Sequence, residues 1–239
     1  MSKKNLLEIS LDSVDSAIAA EKGGAGRVEL CGNLAEGGIT PGVGLIKVVR
    51  KHITIPLFIM IRPRPGDFCY SDSEFEVMNR DILRAKKSGV DGVVFGILRR
   101  DAKIDVERME ALIRLARPMQ VTFHRAFDVV NDPVAALDNL INLGVDRLLT
   151  SGQCKSAFEG IPLISRLVSM ANNRMVIMPG CGIHKDNIQI IRKKTGAAEL
   201  HIGSAAHSRR EESGEFQFGP QVFVNAEKVK ELANAVSKS

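Results

Sequence analysis

Eight apolar, strand-like runs recur along this chain, at residues 6–11, 27–31, 57–61, 91–95, 120–124, 146–150, 175–178 and 197–202, and no other feature restricts the fold as much. Segments with helical periodicity separate them, among them 73–87, 106–116 and 134–143. The alternation runs without a linker or low-complexity stretch, over about the length that a (β/α)8 barrel needs. The even-numbered strands also share a pattern: AGRVELCG at 25–32, GVDGVVFG at 89–96, GVDRLLTSG at 144–152 and GAAELHIGS at 196–204. Each opens on a small residue suited to a helix C-terminus and reaches a glycine where strand gives way to loop. Repeated two-strand units predict an α/β fold, a closed (β/α)8 barrel of TIM type, as a single domain over 1–239. The alternative is a doubly wound open sheet. That fold wants a phosphate-binding glycine fingerprint after its first strand, where SLDS (10–13) stands instead.

Side chains of a strand alternate between its faces, which sorts the polar residues. Glu8 and Ser10 share a face of the first strand, Thr122 and His124 of the fifth, Glu199 and His201 of the eighth. Together with Glu29 and Arg62 they are candidates for the upper barrel interior. Glutamates confined there need a cation such as Arg62, a metal, or a raised pKa, because an unpaired buried carboxylate costs several kcal/mol. Glu8, Glu29, His124 and His201 are therefore read as acid, base or hard-metal ligands.

The loop after the third strand, IRPRPGDFCYS (61–71), is hard to explain as scaffold. Prolines space Arg62 and Arg64, Gly66 permits a tight turn, and Asp67 and Cys69 follow. Arg62, Arg64 and Asp67 are candidate substrate-binding groups, unless Arg62 merely pairs with a buried carboxylate. In TFHRAFD (122–128), His124 is a candidate base or ligand, Arg125 an anion clamp and Asp128 an orienting carboxylate. LTSGQ (149–153) offers Ser151 to a ligand, or only a helix cap. The turns PGCGI (179–183) and IGSA (202–205) follow the last two strands, where barrels hold phosphates on backbone amides, so Gly182 and Ser204 join the binding set.

Composition narrows the class. Of 239 residues, 44% are hydrophobic and 26% charged, ordinary for a globular chain. No apolar run approaches the roughly 20 residues that span a bilayer, and MSKKNLLEIS lacks a signal-peptide core, so no membrane association and a cytoplasmic location are expected. The net charge of +5 is spread along the chain and aromatics are only 5%, which argues against nucleic acid and for a small anionic ligand. The cysteines at 31, 69, 154 and 181 form no CxxC pair. They follow strands two, three, six and seven, where thiolates helped by Met60 or Met178 suit Cu(I) if the loops converge, and are unrelated thiols if they do not.

The motifs ELC with AEGGITP (29–41), IRPRPGDFCYS, TFHRAFD, LTSGQ, the glycine turn after strand seven and ELHIGSA resemble the copper homeostasis protein family CutC in order and spacing. The resemblance covers nearly the whole chain. It implies a TIM-type barrel, a cytoplasmic homo-oligomer and a role in copper tolerance through Cu(I) binding, carried over to Cys31 of the ELC motif, with the other cysteines as further ligands. Two functions therefore stand side by side. One is a copper-binding homeostasis protein. The other is a barrel enzyme for a small anionic or sugar-like substrate, and the absence of lysine from the upper strand ends argues against Schiff-base chemistry.

Overall fold

The computed structural model describes residues 6–210 and 219–237. Its element order is β1 (Leu6–Leu11), α1 (Val14–Lys22), β2 (Arg27–Leu30), α2 (Val43–His52), β3 (Leu57–Met60), α3 (Asp72–Lys87), β4 (Gly92–Phe95), α4 (Val106–Ala116), β5 (Gln120–Phe123), α5 (Pro133–Asn142), β6 (Arg147–Thr150), α6 (Ile161–Ala171), β7 (Val176–Pro179), α7 (Ile188–Thr195) and β8 (Glu199–Ile202). An antiparallel hairpin, β9 (His207–Arg210) and β10 (Gln221–Val224), precedes α8 (Ala226–Ser237). The eight parallel strands run in the order β7-β6-β5-β4-β3-β2-β1-β8, and β7 packs beside β8 to bring the ring nearly to closure. This is the (β/α)8 barrel that the alternating runs predict. The hairpin before α8 is an addition that periodicity did not reveal.

Local chemistry starts the helices where the sequence signals them. Ser71 and Glu74 form a capping box at α3, Asp105 caps α4, and Asp132 caps α5, whose first residue is Pro133. Helix α3 buries Met78, Ile82 and Ala85, one stripe at spacings of four and three. Alternate residues of each strand, such as Leu7, Ile9 and Leu11 in β1, complete the core between sheet and helices. Each such side chain contributes about 1.5 to 3 kcal/mol on burial.

The other face of each strand lines the interior, and register places its polar groups. Glu8 pairs in register with Arg27 on one side and His201 on the other, and Ser10 with Glu29. In the lower interior Arg27 bonds Glu8 and, at 2.6 Å, Glu199, which also accepts from Arg147 Nε at 2.5 Å. Both guanidinium groups lie over the Phe58 ring, 4.8 and 5.3 Å from its centroid. Arg62, expected as the cation for the interior glutamates, does not serve there. It stands on the loop beyond β3, and Arg27 and Arg147 neutralise the carboxylates from strand positions. Two arginines thus pair with two carboxylates, which leaves Glu29 without an arginine partner.

Candidate functional site

A cavity of about 270 Å³ opens at the C-terminal ends of the strands, lined among others by Glu29, Arg62, His124, Arg125, His201 and Ser204. The residues reach it from β2, from the loops after β3 and β5, and from β8. Strand alternation explains the convergence: Glu29 and Cys31 share a face two residues apart, and His201 emerges from β8 on the face of Glu199.

Glu29 is 3% exposed, and its Oε1 has no hydrogen-bond partner. Burial raises its pKa to about 7 with help from the Glu8 charge, against the pull of His201 and a thiol hydrogen bond from Cys31 at 3.7 Å. Glu8 behaves oppositely. Burial also penalises its charge, yet Arg27 and His201 outweigh that and hold its carboxyl well below the usual range. His201 donates from Nδ1 to Glu8 at 2.7 Å and sets Nε2 3.9 Å from Glu29. Burial lowers its basicity, and the two carboxylates more than restore it, so its pKa is raised.

His124 is N-cap of a short 3-10 turn, Arg125–Val129, and its Nδ1 accepts from Ala126 N–H at 3.3 Å. Burial and then the Arg62 charge push its pKa down to about 3, so the ring is neutral. Its Nε2 is buried without a partner. Arg62 donates through its two Nη groups to the carbonyls of Glu36, Gly38 and Gly66 at 2.8 to 3.2 Å, and so ties the β2 and β3 loops together as it lines the cavity. Gly66 adopts φ +89°, the left-handed turn that the motif anticipated.

The remaining predicted residues divide into two groups. Arg125 lies on the cavity wall, its Nε on Asp128 at 2.7 Å and its Nη2 on Ser151 at 3.1 Å. Asp128 accepts from Thr150 Oγ1, Ser151 N and Ser151 Oγ at 2.5 to 3.0 Å, which locks the β6 loop to the β5 loop. Arg64 and Asp67 are not brought to the cavity. Arg64 bonds Glu74 at 2.6 Å and Asp67 at 2.9 Å, which folds the loop back onto the α3 capping box. Gly182 lines a separate shallow pocket with Ser156 and His184. Phe68, Leu149 and His207 also line the cavity, beyond the residues that the motifs predict. Phe68 lies within IRPRPGDFCYS, and Leu149 shares an inward face with Arg147 and Ser151, so both carried a legible signal.

Cu(I) favours two or three convergent soft donors. Among the described residues, Glu8, Glu29 and His201 are the group of three whose potential ligand atoms lie within 4.8 Å of one another, and none of the cysteines belongs to it. Cys31 is fully buried in an apolar cluster with Phe58, Met60 and Val94, and burial plus the Glu29 charge keep its thiol protonated well above the ordinary range. Cys154 is exposed and Cys69 and Cys181 are partly so. This donor set does not fit a Cu(I) cage.

Fold and rim together define a class, a (β/α)8 barrel with a buried carboxylate and three histidines lining a cavity at the strand ends. The chain belongs to the CutC family, whose model matches residues 5–206. Similar proteins include the copper homeostasis protein cutC homologs of Mus musculus and Homo sapiens. They are 53% and 52% identical over 212 residues, which is 89% of this chain and 77% of each relative. The crystal structure of a CutC protein from Streptococcus agalactiae has a TM-score of 0.80 at 38% identity, covering 84% of this chain and 98% of that one. Thiamine phosphate pyrophosphorylase from Pyrococcus furiosus, TM-score 0.62 at 16% identity over 98% and 96% of the two chains, shares the fold. No helix among the described residues is long and apolar enough to cross a membrane.

Proposed function

We propose that this chain is an enzyme of acid–base type for a small anionic or sugar-like molecule, with Glu29 as the group that moves the proton. The observation that carries this reading is the Glu29 carboxyl itself, buried, with one oxygen unpartnered on a cavity large enough for a metabolite, and poised to change protonation near neutral pH. A structural carboxylate in this barrel is fully paired, as Glu8 and Glu199 are. Arg62, whose two Nη groups meet carbonyl oxygens, gives the cavity wall positive charge, which favours an anionic ligand. A cytoplasmic site of action and self-association are carried in the same proposal on the family resemblance alone.

Cu(I) binding at Cys31 is the second reading, favoured by the neighbouring Met60 in the same buried cluster. It accounts for neither the unpartnered oxygen of Glu29 nor the unpartnered nitrogen of His124. The test is a thermal-shift screen of the full chain against small carboxylates, phosphates and sugar phosphates, followed by turnover of the hits. Glu29→Gln is expected to keep binding and to lower turnover by about 100- to 10,000-fold. Hits that Glu29→Gln turns over as fast as the parent does sink the reading.

A further inference from the structure

We propose that His124 acts in this site as a neutral hydrogen-bond donor to a developing oxyanion, so that the reaction is abstraction by Glu29 of a proton from a carbon beside a carbonyl, on a small anionic α-hydroxycarbonyl compound. The inference rests on the acid–base reading of Glu29 and adds the reaction class and the role of His124.

The tautomer is set by the backbone. An amide N–H only donates, so the bond from Ala126 N makes His124 Nδ1 an acceptor and leaves the proton of the neutral ring on Nε2. That N–H has no partner, although the residue is 4% exposed and lines the cavity beside Glu29. One buried donor and one buried acceptor, both without partners, therefore belong to residues that line a common cavity. Each such group left unpaired costs about 1 to 3 kcal/mol, and a ligand with an oxygen for the first and a proton for the second satisfies both.

The ring is also held still. Phe68 lies 4.8 Å from it, and a Cβ built on Gly96 would sit 2.8 Å from Nδ1, so the imidazole presses against bare backbone. A fixed donor that needs no reorganisation is what stabilises charge as it forms. Burial and Arg62 keep the ring from becoming an imidazolium, so it donates a hydrogen bond and retains its proton.

The step balances within the site. The Glu29 carboxylate takes the proton, the C–H pair becomes the carbon–carbon double bond, and the carbonyl π pair moves to the oxygen held by His124 Nε2–H. Return of a proton from Glu29 to the same face of that carbon restores it, and in deuterium oxide leaves deuterium in its place. No oxidant or co-reactant enters.

The experiment incubates the full chain in deuterium oxide with glyceraldehyde phosphate, ribose phosphate and hydroxypyruvate, and follows loss of the C–H signal next to the carbonyl by NMR. Exchange above the protein-free rate on at least one is expected. His124→Gln should lower it about 100-fold or more while binding persists. As a check that needs no variant, nitrogen-15 NMR of the parent should show His124 with Nδ1 bare and Nε2 protonated throughout the neutral range. An Nδ1–H tautomer, an imidazolium, or no exchange on any compound overturns the inference. If thermal-shift hits are still turned over in a Glu29-dependent way without such exchange, the inference falls and the acid–base reading stands. If Glu29→Gln alters neither binding nor turnover, both fall.

Discussion

His201 joins two carboxylates of opposite tendency: its Nδ1 donates to Glu8 at 2.7 Å, and its Nε2 lies 3.9 Å from Glu29 Oε2. Glu8 is ionised because Arg27 and His201 both hold it, whereas Glu29 has neither a direct arginine contact nor a partner for Oε1. One histidine thus separates a structural anion from an acid that titrates near neutrality.

Replacing Glu8 by Gln removes the anion shared by Arg27 and His201. Stability is expected to fall by about 3 kcal/mol or more, since loss of one partner leaves the other charge buried and uncompensated. The pKa of His201 should fall with it. Urea unfolding gives the first quantity and NMR titration of the imidazole the second. An unchanged midpoint would mean that Glu199 alone satisfies Arg27.

Glu29 and His124 give stability opposite pH dependences. Glu29 titrates at about 7 in the fold against an ordinary 4.5, so between those values the folded state keeps a proton that the unfolded chain has released. Its contribution is complete below pH 4.5 and is lost as pH rises through about 7, a swing of about 3 kcal/mol. His124 titrates at about 3 against 6.5, so as pH falls from 6.5 the unfolded chain takes up a proton that the fold refuses, and stability drops. The two trends oppose each other in the parent where their windows overlap. Relative to the parent, Glu29→Gln should gain stability as pH rises across its window and His124→Gln as pH falls across its own. Unfolding curves at a series of pH values check both, and a pH-independent difference would contradict the shift concerned.

Arg62 spans three carbonyls from two loops, a task that the single ammonium of lysine cannot reproduce. Arg62→Lys is expected to cost about 2 to 3 kcal/mol, the scale of hydrogen bonds to a charged group left unmade. Amide hydrogen exchange should quicken around residues 36–40 and 64–68. Unchanged exchange there would show that the loops hold without it.

Anaerobic competition against a Cu(I) chelator is expected to show weak, substoichiometric binding that falls in Cys31→Ser and is unaffected in His124→Ala. Tight one-to-one binding lost only with Cys31 would make copper the direct ligand of this chain and displace the acid–base reading.

Much of this was legible in the sequence because barrels repeat. Period two in β1, β5 and β8 put Glu8, His124 and His201 on the inward face, and glycines at the strand exits marked the rim where the cavity opens. The same parity rule, carried two residues back from Glu29, reaches Arg27, the cation that Arg62 had been expected to supply. Arg147 likewise precedes Leu149 and Ser151 on one face.

Sequence by itself determined the eight strands of the barrel, the inward face of Glu8, His124 and His201 and the end of the barrel where the polar loops gather, because these follow from local periodicity. Only the tertiary structure decided which inward charges neutralise one another. Pairing of Glu8 with Arg27 and of Glu199 with Arg147 depends on register and side-chain reach across strands distant in sequence. That pairing leaves Glu29 as the carboxylate without an arginine partner, and no spacing along the chain distinguishes it from the others. The same holds for His124, whose tautomer comes from one neighbouring amide and whose neutrality comes from burial and from Arg62, on another loop.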